Sequence, residues 1–158
     1  MAYLHSHNVI HRDLKPGNVL MDEYLHPKIS DFGLSKITDF LSISMNQQSQ
    51  KGFKGTPIYM APEIFINEEY SKATDVYAFS IVVYEILTLN KPYSKWSINR
   101  ILYKVANEGY RPEISEDIPD CFRQLIEKCW SKMLKNNRHL KTSLLNWRRM
   151  RNSSCPSL

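Results

Sequence analysis

Between Ser71 and Leu89 the chain follows a helical repeat that is apolar on almost every side: Val76, Tyr77, Phe79, Ile81, Val82, Val83, Ile86 and Leu87 all fall within it. A helix without a polar face needs protein around it. This stretch therefore predicts a buried helix on which the rest of the chain is built. With 158 residues there is enough chain for one domain with a real core. Hydrophobic residues at 42% and charged residues at 23% are ordinary for a globular protein. No run approaches the eighteen or so apolar residues of a membrane span, and Met1-Ala2-Tyr3-Leu4-His5 has neither the basic start nor the apolar core of a signal peptide. No membrane partner is expected, and the location expected is cytoplasmic. Cys121, Cys129 and Cys155 lack metal-ligand spacing and read as reduced thiols, Cys129 within a core.

Around the central helix the pattern is of short elements. Tyr3 and Leu4 read as the last turn of a helix. Short β-type segments follow at Val9-Ile10, Val19-Leu20-Met21 and Pro27-Lys28-Ile29. Residues 34–55, rich in Ser, Gln, Lys and Gly, read as a surface loop. Ser97 is placed to cap a second helix running to about Asn107 and ended by Gly109. Phe122, Leu125, Ile126 and Cys129 stand at the spacing of an inward helix face. The expected class is α+β, mostly helical.

The net charge of +5 is unevenly spread. All 16 acidic residues and 14 of the 21 basic ones lie in residues 1–130, a net −2, whereas residues 131–158 carry seven basic residues and no acid. Such a tail attracts phosphates non-specifically. A nucleic-acid binder is one reading of it, resting on the tail alone, and no specific nucleic-acid partner is expected.

The chemistry concentrates in His11-Arg12-Asp13-Leu14-Lys15-Pro16-Gly17-Asn18. Asp13 can accept a hydrogen bond from a hydroxyl and orient its oxygen, and Lys15 can neutralise charge on a transferred phosphoryl group. Asn18 offers a neutral oxygen suited to Mg²⁺ beside phosphates. Asp31, in Asp31-Phe32-Gly33, is a second acidic candidate where the chain leaves the Ile29 strand. Each residue alone is ordinary; a lone loop aspartate is more often a turn or cap residue.

Together these motifs, with Ala61-Pro62-Glu63, resemble the signature set of a protein kinase over residues 1 to about 130. The sequence is similar to the large, mostly helical C-terminal lobe of that fold. Leu14-Lys15-Pro16 and Gly55-Thr56 ahead of Tyr59-Met60-Ala61-Pro62-Glu63 are similar to serine/threonine kinases. Asp75-Val76-Tyr77-Ala78-Phe79 and Cys129-Trp130 look most like the tyrosine-kinase-like group of these. The resemblance implies ATP and Mg²⁺ as cofactors and a protein substrate. It implies Asp13 as catalytic base, Lys15 on the γ-phosphate, and Asn18 and Asp31 on two metal ions. It further implies that Thr56 shapes the substrate floor near Asp13 and Lys15. Arg12 would pair with a phosphate on the activation segment, with Thr38, Ser42, Ser44 and Ser49 as candidate phosphosites. Asp75 resembles the aspartate bracing the catalytic loop, with a plain helix cap as the alternative. Ser80 stands where the family usually has Gly.

Two departures qualify the expectation. The Gly-rich loop, strand lysine and helix glutamate of a working kinase are not in this sequence. The expected partner is therefore a missing small lobe, or upstream domains, and transfer by the chain alone is expected to be negligible. Beyond Cys129-Trp130 the family runs to an Arg-Pro pair whose Arg commonly meets the glutamate matching Glu63. Here Arg138 falls one place late, without Pro. Permissible codons for Lys132 to Thr142, read in a shifted frame, give Asp-Ala-Glu-Lys-Gln-Pro-Thr-Phe-Glu-Asp, close to the family pattern. The expected division is thus a partial kinase domain over 1–132 and an atypical, disordered or out-of-frame tail over 133–158. Genomic sequence at codon 132 lacking Pro-Thr-Phe in the shifted frame would remove that idea. The other functional class is a kinase-like pseudoenzyme lobe acting as a binding module.

Overall fold

The computed structural model describes residues 1–37 and 55–130. The N-terminal part is made of short pieces. Helix α1 (Ala2–Ser6) leads into strand β1 (Val9–Ile10), and β2 (Val19–Met21) pairs antiparallel with β3 (Pro27–Ile29), Val19 opposite Ile29. Asp22 closes that hairpin by accepting from the backbone N–H groups of Tyr24 and His26 at 3.0 and 2.8 Å. The bond from His26 N–H leads the causes that hold its carboxyl below the usual range. These three strands lie where their β-branched and apolar residues predict. A fourth, β4 (Lys36–Ile37), pairs antiparallel with β1 and falls inside the stretch read from composition as loop. Two residues are too few for a periodic signal, so only the pairing with Val9 and Ile10 reveals it.

Helix α2 (Pro62–Asn67) is likewise absent from the sequence reading. Pro62 occupies its first turn, where a missing N–H costs nothing, and Glu68 ends it in the left-handed region at φ 53°. The expected central helix is α3 (Lys72–Thr88). Ser71 opens it with a capping box: its Oγ accepts from Ala73 N at 3.2 Å, and its N–H donates to Thr74 Oγ1 at 3.2 Å. Ile81 has no exposed surface, and Val76, Tyr77, Ala78 and Val82 are buried with it. The burial does not extend all round, because Ile86 and Leu89 reach solvent at the C-terminal end. Ser80 is buried as well; its Oγ donates to Tyr77 O at 2.6 Å, so the hydroxyl brings its own acceptor into the core.

Helix α4 (Ile98–Ala106) is capped by Ser97, whose Oγ accepts from Arg100 N at 3.3 Å. Gly109, at φ 68°, turns the chain away from it. Helix α5 (Asp120–Trp130) buries Leu125, Ile126, Cys129 and Trp130, with Phe122 partly covered. Packing joins α3 to α5 and α2 to α4. The core collects Leu14, Tyr59, Met60, Ile64, Tyr77, Ile81, Ile101, Val105, Ile126 and Trp130. Burial pushes the free Cys129 thiol up to about 11. Cys121, partly covered in the first turn of α5, is disulfide-bonded, so the reading of three reduced thiols fails there. Spacing alone did not show which thiols the fold leaves reachable. Among the described residues no helix is long and apolar enough to cross a membrane. The basic tail and the division at residue 132 lie outside the described residues.

Candidate active site

The loop from His11 to Asn18 is held from beneath by α3. Asp75, in the first turn of that helix, is 1% exposed and uses both carboxylate oxygens. Its Oδ1 accepts from Arg12 N at 2.9 Å; its Oδ2 accepts from His11 N at 2.8 Å and from His5 Nε2 at 2.9 Å. The geometry exceeds a helix cap: a buried carboxylate is satisfied by three donors, two of them backbone groups of the loop. His11 is fully buried and adds a second tie. Its Nε2 donates to Ser30 O at 2.9 Å and its Nδ1 accepts from Asp13 N at 3.3 Å, which fixes the ring's tautomer.

On this platform Asp13 meets three of the other candidates. Thr56 donates to Asp13 Oδ1 twice, from N and from Oγ1, both at 2.9 Å. Lys15 Nζ lies 2.6 Å from Asp13 Oδ2 and 3.3 Å from Thr56 Oγ1. Asn18 Nδ2 donates to Asp13 O at 2.8 Å, so its Oδ1 is the atom left to coordinate. The Asp13 side chain is 9% exposed and that of Lys15 31%, so the pair faces an opening. Gly55 permits the approach of residues 55–56. At φ 115° it adopts a backbone conformation unsuited to other residues, and a Cβ there would stand 2.8 Å from Arg12 O.

Asp31 is arranged differently. It sits in the left-handed region at φ 60°, and Gly33 N donates to its Oδ1 at 3.4 Å. Its backbone neighbour Ser30 donates from N to Asn18 O at 2.9 Å, which places the Asp31 segment beside Asn18. Phe32 is 44% exposed and leans on His11 with ring centroids 5.3 Å apart. Asn18 Oδ1 and the exposed Asp31 carboxylate are hard oxygen donors, and one or two such groups beside phosphates are what Mg²⁺ takes. The residues present therefore fit the group. Among the described residues there is no cluster of three or more His, Cys, Asp or Glu side chains that could hold a metal.

Residues 1–145 match the family described as protein tyrosine and serine/threonine kinase. The chain belongs to the protein kinase family. Among its kinase relatives, dual specificity protein kinase shkC of Dictyostelium discoideum is 42% identical over 133 residues, covering 82% of this chain and 26% of the relative. Dual specificity protein kinase shkB of the same organism is 38% identical over 132 residues, 82% of this chain and 20% of the relative. A putative serine/threonine-protein kinase/receptor of Acanthamoeba polyphaga mimivirus is 38% identical over 130 residues, 81% of this chain and 8% of the relative. The chain thus spans about a quarter or less of the length of these kinases.

The remaining candidates of the kinase site are spread out. Glu63 stands in the first turn of α2 and forms no ion pair with another described residue; Arg138 lies outside those residues, as do Thr38, Ser42, Ser44 and Ser49. Arg12 turns its guanidinium onto the Tyr70 ring, 4.3 Å from the centroid. Sequence spacing did not reveal His5, Tyr70 or the bond from Tyr59 OH to Glu85 Oε2 at 2.7 Å. That bond ties residues 57–59 to α3; burial and then Glu85 push the Tyr59 phenol up. Each contact joins residues far apart in the chain, and only the fold brings them together. A concavity of about 690 Å³ between the end of α3 and residues 110–118, lined by Tyr93, Trp96 and Tyr110, lies away from this chemistry. The space beside Asp13 and Thr56 is about 10 Å³, because the hydrogen-bonded groups fill it.

Proposed function

We propose that this chain supplies the hydroxyl-activating half of an ATP-dependent protein serine/threonine kinase of the tyrosine-kinase-like group. In this reading it corresponds to the large lobe, over residues 1–132. The observation that carries the proposal is the Asp13 carboxylate, with Lys15 on one oxygen and Thr56 on the other. Thr56 holds Oδ1 and leaves Oδ2, shared with Lys15, to accept the proton of a protein serine or threonine hydroxyl. The hydroxyl oxygen forms a bond to the γ-phosphorus as the bond to the leaving nucleoside diphosphate oxygen breaks. The proton passes to Asp13, and Lys15 neutralises charge on the moving phosphoryl group. Asn18 Oδ1 and Asp31 would hold Mg²⁺, which when bound draws charge from the phosphate oxygens. Arg12 would pair with a phosphorylated side chain of the activation segment, and Glu63 and Asp75 would brace the fold around it.

Exposed apolar residues support a covering partner on the nucleotide side. Leu20 and Met21 on β2 are each 55% exposed, and Phe32 lies on the adjoining segment. A small lobe or upstream domain seated there completes the cleft in this reading. The test is phosphate transfer from γ-labelled ATP to a serine- or threonine-bearing protein. The complete kinase should lose at least about a hundredfold with Asp13→Ala, the scale of a general base, and the isolated chain should be inactive. Undiminished transfer in the Asp13→Ala enzyme overturns the assignment.

A further inference from the structure

The Arg12 side chain is held in an arrangement that its backbone alone does not explain. Its N–H is fixed by Asp75 and its φ of 74° is left-handed. The guanidinium carbon lies 4.3 Å from the centre of the Tyr70 ring, and Nε is buried without a hydrogen-bond acceptor. Arg12 forms no ion pair among the described residues, and the nearby Asp75 carboxylate accepts from two loop N–H groups and from His5 rather than from the guanidinium. A guanidinium uses its face and its edge independently. Stacking on an aromatic ring occupies the face, while the N–H donors lie in the plane and remain free for a two-point contact with an anion. A buried Nε–H without an acceptor on a half-buried guanidinium fits a phosphate monoester, whose several oxygens accept such bonds.

We propose that Tyr70 is a positioning residue that pre-organises Arg12 for phosphate, holding the guanidinium by its face so that its donor edge is presented. This rests on the reading of Arg12 as a phosphate-pairing residue. Tyr70 can do this because it directly precedes Ser71, whose capping box with Thr74 anchors that point of the backbone to α3. Arg12 thus loses its rotamer freedom before the anion arrives, which raises affinity without an added contact.

The experiment is a titration of the chain with inorganic phosphate, followed by the ¹⁵N NMR signals of the His11–Asp13 backbone amides in every variant and, where Arg12 is present, of its Nε–H. Phosphate should shift these resonances saturably. Tyr70→Phe keeps the ring and should bind within about twofold of the parent, whereas Tyr70→Leu should bind about 3- to 10-fold more weakly. Unchanged binding in Arg12→Ala overturns the underlying reading of Arg12. Binding lost in Arg12→Ala but equal to or tighter than the parent in Tyr70→Leu leaves that reading intact and overturns the role of Tyr70. A second readout needs no variant: the ring should shift the Arg12 Hδ protons upfield, and the shift should persist at saturation. Its disappearance on saturation means that Arg12 leaves the ring to bind, and the proposal fails.

Discussion

The loop at residues 11–18 and the triplet at 31–33 carry the acidic groups of one candidate site, but they are built in opposite ways. Asp13 is fixed through Thr56, Lys15 and Asn18, and its loop is tied to buried Asp75 and His11. Asp31 is exposed, and among the described residues its side chain accepts only from the local Gly33 N–H, at 3.4 Å. The difference follows from what lies beneath each segment. The loop rests on α3, the core helix, whereas the triplet projects beyond β3 with Phe32 open to solvent. In the proposed kinase, the base is thus preassembled by this chain, while the metal-binding carboxylate waits for nucleotide and partner surface.

The contrast breaks most decisively at Asp75. Asp75→Ala leaves the His11 and Arg12 N–H groups without their buried acceptor and should cost about 3–5 kcal/mol of stability. Urea denaturation of the chain measures it, and a loss under about 1 kcal/mol would mean the loop is not held through α3. Gly55→Ala ranks next. Its methyl meets Arg12 O and its φ resists any side chain, so about 1–3 kcal/mol should be lost. The amide signal of Thr56 should move with it, since the Thr56–Asp13 bond depends on that approach.

A pH test separates core from surface. The Cys129 thiol is raised from 9.0 to about 11, so between those values the unfolded chain gives up a proton that the folded chain keeps. The share of stability that Cys129 contributes is whole below about pH 9 and declines as pH climbs towards 11, by about 2 kcal/mol. Above about pH 10 the raised phenols of Tyr59, Tyr77, Tyr84 and Tyr93 add to the decline. Replacing Cys129 by Ala should therefore flatten the slope between about pH 9 and 10; an unchanged slope there would place its origin elsewhere. The smallest effect is expected at the exposed triplet. Asp31→Asn retains a residue tolerant of the left-handed region and should change stability by less than about 0.5 kcal/mol. In the complete kinase, the same change should weaken Mg²⁺-dependent nucleotide binding, read by titration calorimetry. A large folding defect would show that the two segments are not as different as their burial indicates.

Much of the helical frame was legible because its signals are local. Ser71 and Ser97 mark helix starts, and the run from Val76 to Val82 marks a core helix. Helix α2 escaped because six residues give too little periodicity, and β4 because its pairing is with residues far back in the chain. Within the site, Asp13, Lys15 and Asn18 share one short loop, so their proximity was legible from spacing. The third donor to Asp75, from His5, and the ring beneath Arg12 were not, since both contacts join segments far apart in sequence.

The order of motifs by itself determined the family, the identity of the polar groups and the presence of a buried central helix. Local residue chemistry and short-range periodicity carry that information directly. Only the tertiary structure decided that Asp75 holds the catalytic-type loop by two backbone N–H groups, that Thr56 clamps Asp13, and that Asp31 remains on the surface. Those outcomes depend on which distant backbone groups α3 and Gly55 bring within hydrogen-bonding reach, a matter of packing that no single segment encodes.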